Sequence, residues 1–89
     1  MAEITLTVEH EVGLHARPAS LFVQNASRFK SAIKIRYEDK EVNAKSILSL
    51  LTLGVNKGAV ITIQAEGEDE IQAVDTLAQL VKDNFGDPK

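Results

Sequence analysis

The chain has 89 residues, 44% of them hydrophobic and 26% charged, with a net charge of −3 and no cysteine. Such a length holds one small core, so residues 1–89 are expected to form a single domain of ordinary globular type. Disulfides and thiolate metal sites are excluded, direct nucleic-acid binding is disfavoured without a basic stripe, and no apolar run nears the ~20 residues that span a bilayer. The first residues also lack the charged-then-apolar layout of a signal peptide, which leads to the expectation of a cytoplasmic protein.

Ile4-Thr5-Leu6-Thr7-Val8-Glu9 alternates apolar and polar residues and reads as a first strand. His10 to Leu14 is a connecting loop, with His10 a solvated residue in it. From Pro18, a first-turn proline that loses no helical hydrogen bond, Ala19, Phe22, Ala26 and Phe29 trace one face of an amphipathic helix. Ala32 to Tyr37 alternates strictly and predicts a second strand; Glu38-Asp39-Lys40 turns into a short third strand at Glu41-Val42-Asn43. Ser46 is a suitable N-cap for a helix carrying Ile47, Leu48, Leu50, Leu51 and Leu53, with Gly54 as its left-handed terminator. Ala59 to Ala65 is the strongest strand signal. An acidic loop then enters a last helix whose stripe is Ile71, Val74, Leu77, Ala78, Val81 and Phe85, closed by Gly86 and Pro88.

The order β-α-β-β-α-β-α predicts an α+β two-layer domain, an open-faced sandwich with helices on one side of a four-stranded sheet. Both the order 4-1-3-2 and the order 1-4-2-3 make that sheet fully antiparallel, so strand direction alone leaves both open. So dense an apolar run on so short a second helix cannot all face one sheet. Some of Ile47, Leu48 and Leu51 is expected at the surface, either roofing the core or forming a docking patch.

Gly13-Leu14-His15-Ala16-Arg17-Pro18-Ala19-Ser20 carries the candidate chemistry. A lone loop histidine ordinarily just titrates, but His15 stands where a helix begins, with an arginine two residues on. Backbone amides in a helix's first turn lack internal partners and carry partial positive charge, so the Ala16 and Arg17 amides can receive a phosphate. An imidazole with one unprotonated ring nitrogen is a good nucleophile toward phosphorus. Phosphoryl transfer has a loose transition state, in which positioning and charge stabilisation by a group such as Arg17 do most of the work. No metal or cofactor is required. Ser46 is most simply a cap, although a phosphate there would place about −1.5 to −2 charges beside the apolar residues. A domain this small cannot enclose a substrate, so a partner protein is expected to complete the site.

GLHARPAS, followed by NAKSILSLLTLG and KGAVITIQAEGEDE, resembles the HPr family, the histidine-containing phosphocarriers of the bacterial phosphoenolpyruvate-dependent sugar phosphotransferase system. The resemblance spans nearly the whole chain. It implies the sheet order 1-4-2-3 with three helices on one face. It further implies a carrier rather than a stand-alone enzyme: His15 accepts a phosphoryl group from enzyme I on Nδ1 and donates it to sugar-specific IIA domains, with Arg17 the active-site arginine. Ser46 matches a serine that an HPr kinase/phosphorylase phosphorylates in many low-GC Gram-positive bacteria, with a catabolite-control transcription regulator as a further partner. Ile47, Leu48 and Leu51 match the apolar docking positions. The chain departs from the family at Val12, where a small polar residue is common, and at Ser49 and Leu51. Two other roles fit the same residues: a nitrogen-type regulatory phosphorelay, and a corepressor or interaction module dependent on Ser46 phosphate. A monomer with no membrane insertion is expected.

Overall fold

The computed structural model of the protein describes residues 1–9 and 16–83. Its elements run β1 (Ala2–Thr7), α1 (Ala16–Ala26), β2 (Ala32–Tyr37), β3 (Lys40–Asn43), α2 (Ile47–Thr52), β4 (Val60–Glu66) and α3 (Glu70–Lys82). The four strands form one antiparallel sheet in the order β1-β4-β2-β3. That selects 1-4-2-3 from the two orders that strand direction allowed.

Period-two alternation gives this sheet one apolar face. Ile33 and Ile35 of β2 and Ile61, Ile63 and Ala65 of β4 are buried on it, with Ile63 opposite Ile4 on one side and Ile35 on the other. Burying these side chains stabilises the fold by roughly 1.5–3 kcal/mol for each large one. The helices roof that face with Ala19, Phe22 and Ala26 from α1, Leu50 from α2, and Ala73, Val74, Leu77, Ala78 and Val81 from α3. The opposite face is polar and hydrogen-bonded across strands. Thr5 Oγ1 meets Thr62 Oγ1 at 3.0 Å, and Gln64 Nε2 donates to Glu3 Oε1 at 3.0 Å.

Several boundaries differ from the expectation for a physical reason. Strand β1 ends at Thr7, yet Val8 is fully buried and still paired. Its N–H donates to the Ala59 carbonyl at 2.8 Å, and its carbonyl accepts from the Gly58 N–H at 2.7 Å. Helix α1 opens two residues before Pro18 and stops at Ala26 rather than reaching Phe29. The Arg28 and Phe29 amides donate to the Asn25 and Ala26 carbonyls at 3.2 Å, so the chain tightens past the helix and Phe29 still packs half-buried on the core. Ile71 does not belong to the buried stripe of α3 and is 66% exposed. At 100° per residue it lies roughly a third of a turn off the centre of the face set by Ala73, Leu77 and Val81. Phe85, Gly86 and Pro88 lie outside the described residues, as does His10.

Candidate functional site

Helix α1 begins at Ala16, so Ala16 and Arg17 are its first two residues, in the turn where backbone amides have no acceptor within the helix itself. Pro18, buried in that first turn, has no N–H to leave unsatisfied. The Arg17 side chain is exposed. His15, Gly13 and Val12 lie outside the described residues; what is described is the helix start that follows them.

The second part of the candidate site is α2. Ser46 has extended backbone angles, φ −118° and ψ 114°, and its Oγ accepts from the Ser49 N–H at 3.3 Å, a long N-cap bond. At 100° per residue Ile47, Leu48 and Leu51 share one side of the helix, and Leu50 and Leu53 the other. The burial follows that division: Leu50 and Leu53 are 0% and 2% exposed, whereas Ile47, Leu48 and Leu51 are 37%, 74% and 40% exposed. Gly54 then takes φ +70° as the left-handed residue after the Leu53 cap. An apolar surface of three large side chains thus stands on a six-residue helix that packs against α1.

Two further groups hold these elements in place, and neither was among the sequence expectations. Lys45, immediately before the cap, donates from Nζ to the Phe29 carbonyl at 2.7 Å. Asp69, at the entrance to α3, does not cap its own helix; its carboxylate turns to the α1–β2 connection. There it accepts from the Lys30 N–H at 2.9 Å, the Ser31 N–H at 3.0 Å and the Ser31 hydroxyl. The Ser31 hydroxyl above all, then the Lys30 amide, hold the Asp69 carboxyl below the usual carboxylate range. Glu70 does the local capping: Oε1 accepts from the Gly67 N–H at 3.1 Å, and Oε2 faces the Met1 ammonium at the same distance. The Gly67 amide first, then that ammonium, lower its carboxyl as well. Local sequence could have suggested Glu70 as a cap, but nothing local marks a partner for Asp69 38 residues away.

Among the described residues no group of three histidine, cysteine or acidic side chains could hold a metal ion, and no helix is long and apolar enough to cross a membrane.

Residues 2–83 match the family model described as the PTS HPr component phosphorylation site. In structure the chain is similar to HPr-C-His from Thermoanaerobacter tengcongensis, with 46% identity, a TM-score of 0.95 and 100% of both chains covered. It is similar to the phosphocarrier protein HPr from Bacillus anthracis at 44% identity and a TM-score of 0.85, covering 88% of this chain and 93% of that one. The Bacillus subtilis catabolite repression protein Crh is also similar, at 44% identity and a TM-score of 0.76 over 94% and 97% of the two chains. Crh was solved as a dimer with a swapped domain. A fold of this kind therefore does not by itself imply the monomer expected from the sequence.

Proposed function

The chain belongs to the HPr family of phosphocarriers of the phosphotransferase system, and from that membership we propose that it carries its phosphoryl group on His15. In this reading the chain is a cytoplasmic relay protein rather than an enzyme. Enzyme I presents the phosphoryl group, the unprotonated Nδ1 of His15 attacks phosphorus, and the bond from phosphorus to the donor breaks. A sugar-specific IIA domain takes the group in the reverse sense. Arg17 and the Ala16 and Arg17 amides stabilise the charge on the transferring oxygens. A charge-assisted contact contributes ~1.5–3 kcal/mol and a helix terminus ~0.3–1 kcal/mol, enough to hold the group and too little to trap it.

One observation carries this proposal: the family match runs through the segment in which His15 directly precedes α1 and Arg17 is the second helical residue. Ile47, Leu48 and Leu51 supply the docking surface in this reading, because their exposure has no other use in the core. The test is incubation with phosphoenolpyruvate and purified enzyme I, followed by mass spectrometry. We expect one acid-labile, base-stable phosphate on His15 and none on His15→Ala. Undiminished labelling of that variant would defeat the assignment.

A second role, regulation through Ser46, is favoured by the likeness to Crh and by the position of Ser46 beside the apolar surface. An HPr kinase/phosphorylase would place the phosphate there, and a catabolite-control regulator would read it. Incubation with that kinase and ATP should label Ser46 and leave Ser46→Ala unlabelled.

A further inference from the structure

A helix ends with carbonyls that lack partners and with the negative end of its dipole, and a nearby cation can satisfy both. Helix α1 carries no basic residue in its last turn. The chain beyond it tightens through the Asn25 and Ala26 carbonyls, and the Phe29 carbonyl is left pointing toward the start of α2. Lys45 brings a cation to this end from 16 residues further along, its partly buried ammonium donating at 2.7 Å to the Phe29 carbonyl, three residues past the last residue of α1. Its own backbone is fixed at the same time. The Lys45 N–H donates to Asn43 Oδ1 at 2.9 Å, and the next amide, Ser46, donates to the Asn43 carbonyl at 3.2 Å. Lys45 is thus bonded at one end to the segment that closes α1 and at the other to the turn that launches α2.

We propose that Lys45 is a positioning residue for phosphoryl transfer: by tying the end of α1 to the start of α2, it sets the docking surface of α2 relative to the phosphoryl site at the head of α1. The inference rests on the carrier reading above and adds to it a residue that touches neither the phosphoryl group nor the partner. A six-residue helix is too short to hold itself in water, so its placement depends on such outside ties. The tie is specific for a long cationic donor. Methionine matches the length of lysine but cannot bond the Phe29 carbonyl, whereas arginine can.

The experiment compares wild type, Lys45→Met and Lys45→Arg in two measurements. The first is amide hydrogen exchange of the protein alone, read at Leu50 and Leu53, whose N–H groups donate to the Ser46 and Leu50 carbonyls. The second is phosphorylation by enzyme I across a range of carrier concentrations. For Lys45→Met we expect protection at both amides to fall about fivefold, as for one part-exposed charge-assisted bond, and KM for the carrier to rise by a similar factor with kcat unchanged. Lys45→Arg should restore both. A raised KM with unchanged exchange would mean that Lys45 meets the partner directly, and the inference falls. Lowered protection with an unchanged KM would also overturn it, since the tie would not reach docking. A wild-type chain that takes no label defeats the carrier reading and this inference with it; a labelled wild type confines any failure to Lys45.

Discussion

At the scale of single residues, Gly67 has the least freedom to change among the described glycines. Its φ of +152° is one that side chains rarely adopt, and a Cβ there would come within 2.7 Å of Ser31 Oγ and 2.8 Å of Ser31 Cα. The second contact is with backbone, so no rotamer change relieves it. The same approach brings Asp69 close enough to take the Lys30 and Ser31 amides. We therefore expect Gly67→Ala to destabilise the protein by about 2–3 kcal/mol through backbone strain and steric overlap. Gly58→Ala makes a useful comparison, because its φ is +92° but nothing lies within 4 Å of the added carbon. It should cost only about 1–2 kcal/mol. Urea unfolding of both variants checks the order. Little of this was legible in the sequence. Gly67 reads there as a loop glycine, and its requirement comes from Ser31, which is distant in the chain and close only after β4 has paired with β2.

Among the elements, α2 shows best what periodicity can and cannot reveal. Its N-cap, its terminating glycine and the excess of apolar residues over available core were all readable, because each depends on neighbours within one or two turns. Its opposite-facing leucines follow from helical spacing once the length is known. The same reasoning misplaced Ile71, because a stripe drawn by i, i+3 spacing does not say which edge of the stripe the sheet fails to cover. Ser46 gives the prediction that belongs to this scale. Ser46→Ala removes the acceptor for the Ser49 amide and should lower stability by about 0.5–1 kcal/mol, the low end being favoured by the 3.3 Å bond. Ser46→Asp keeps an acceptor and adds a charge that a helix start tolerates, so its stability should stay within about 0.5 kcal/mol of wild type. If Ser46 is a control point for docking, the two variants separate in the opposite way in transfer. The aspartate should slow phosphorylation of His15 several-fold, and the alanine, which loses the cap but adds no charge, should slow it less. Equal rates for the aspartate variant and wild type would remove the regulatory role.

For the whole molecule, strand direction leaves the order open because its parity is the same in both candidate sheets, and the order 1-4-2-3 that the family resemblance implied is the one formed; the physical choice is made by which strands can share the apolar face. Central β4 and β2 alternate fully buried and outward-facing positions, whereas β1 is only half-buried along its inner side and β3 is four residues long. That puts the most apolar strands in the middle and the least demanding ones at the edges. The assembled sheet also creates the tie between Asp69 and the Lys30–Ser31 connection, and with it a dependence of global stability on acid. Both Asp69 and Glu70 have folded-state carboxyls held below their ordinary values by bonds that form only in the native chain. A carboxyl lowered on folding binds protons more readily in the unfolded state. Its contribution is thus fully present above the unfolded range, near pH 4, and is lost as pH falls through the folded value. The nearby Lys30–Glu68 pair adds little to this, being 3.9 Å apart with both side chains 79% exposed. We expect the melting temperature to stay level from about pH 7 to about pH 5 and to decline below about pH 4. Asp69→Asn should melt lower at neutral pH, because the amide has one acceptor oxygen where the carboxylate uses two and turns its NH2 toward a backbone donor, and its curve should fall less steeply in acid. The two curves would then converge toward low pH. Parallel curves from pH 7 down to pH 2.5 would mean that the acid sensitivity lies elsewhere and that Asp69 serves only to position the loop.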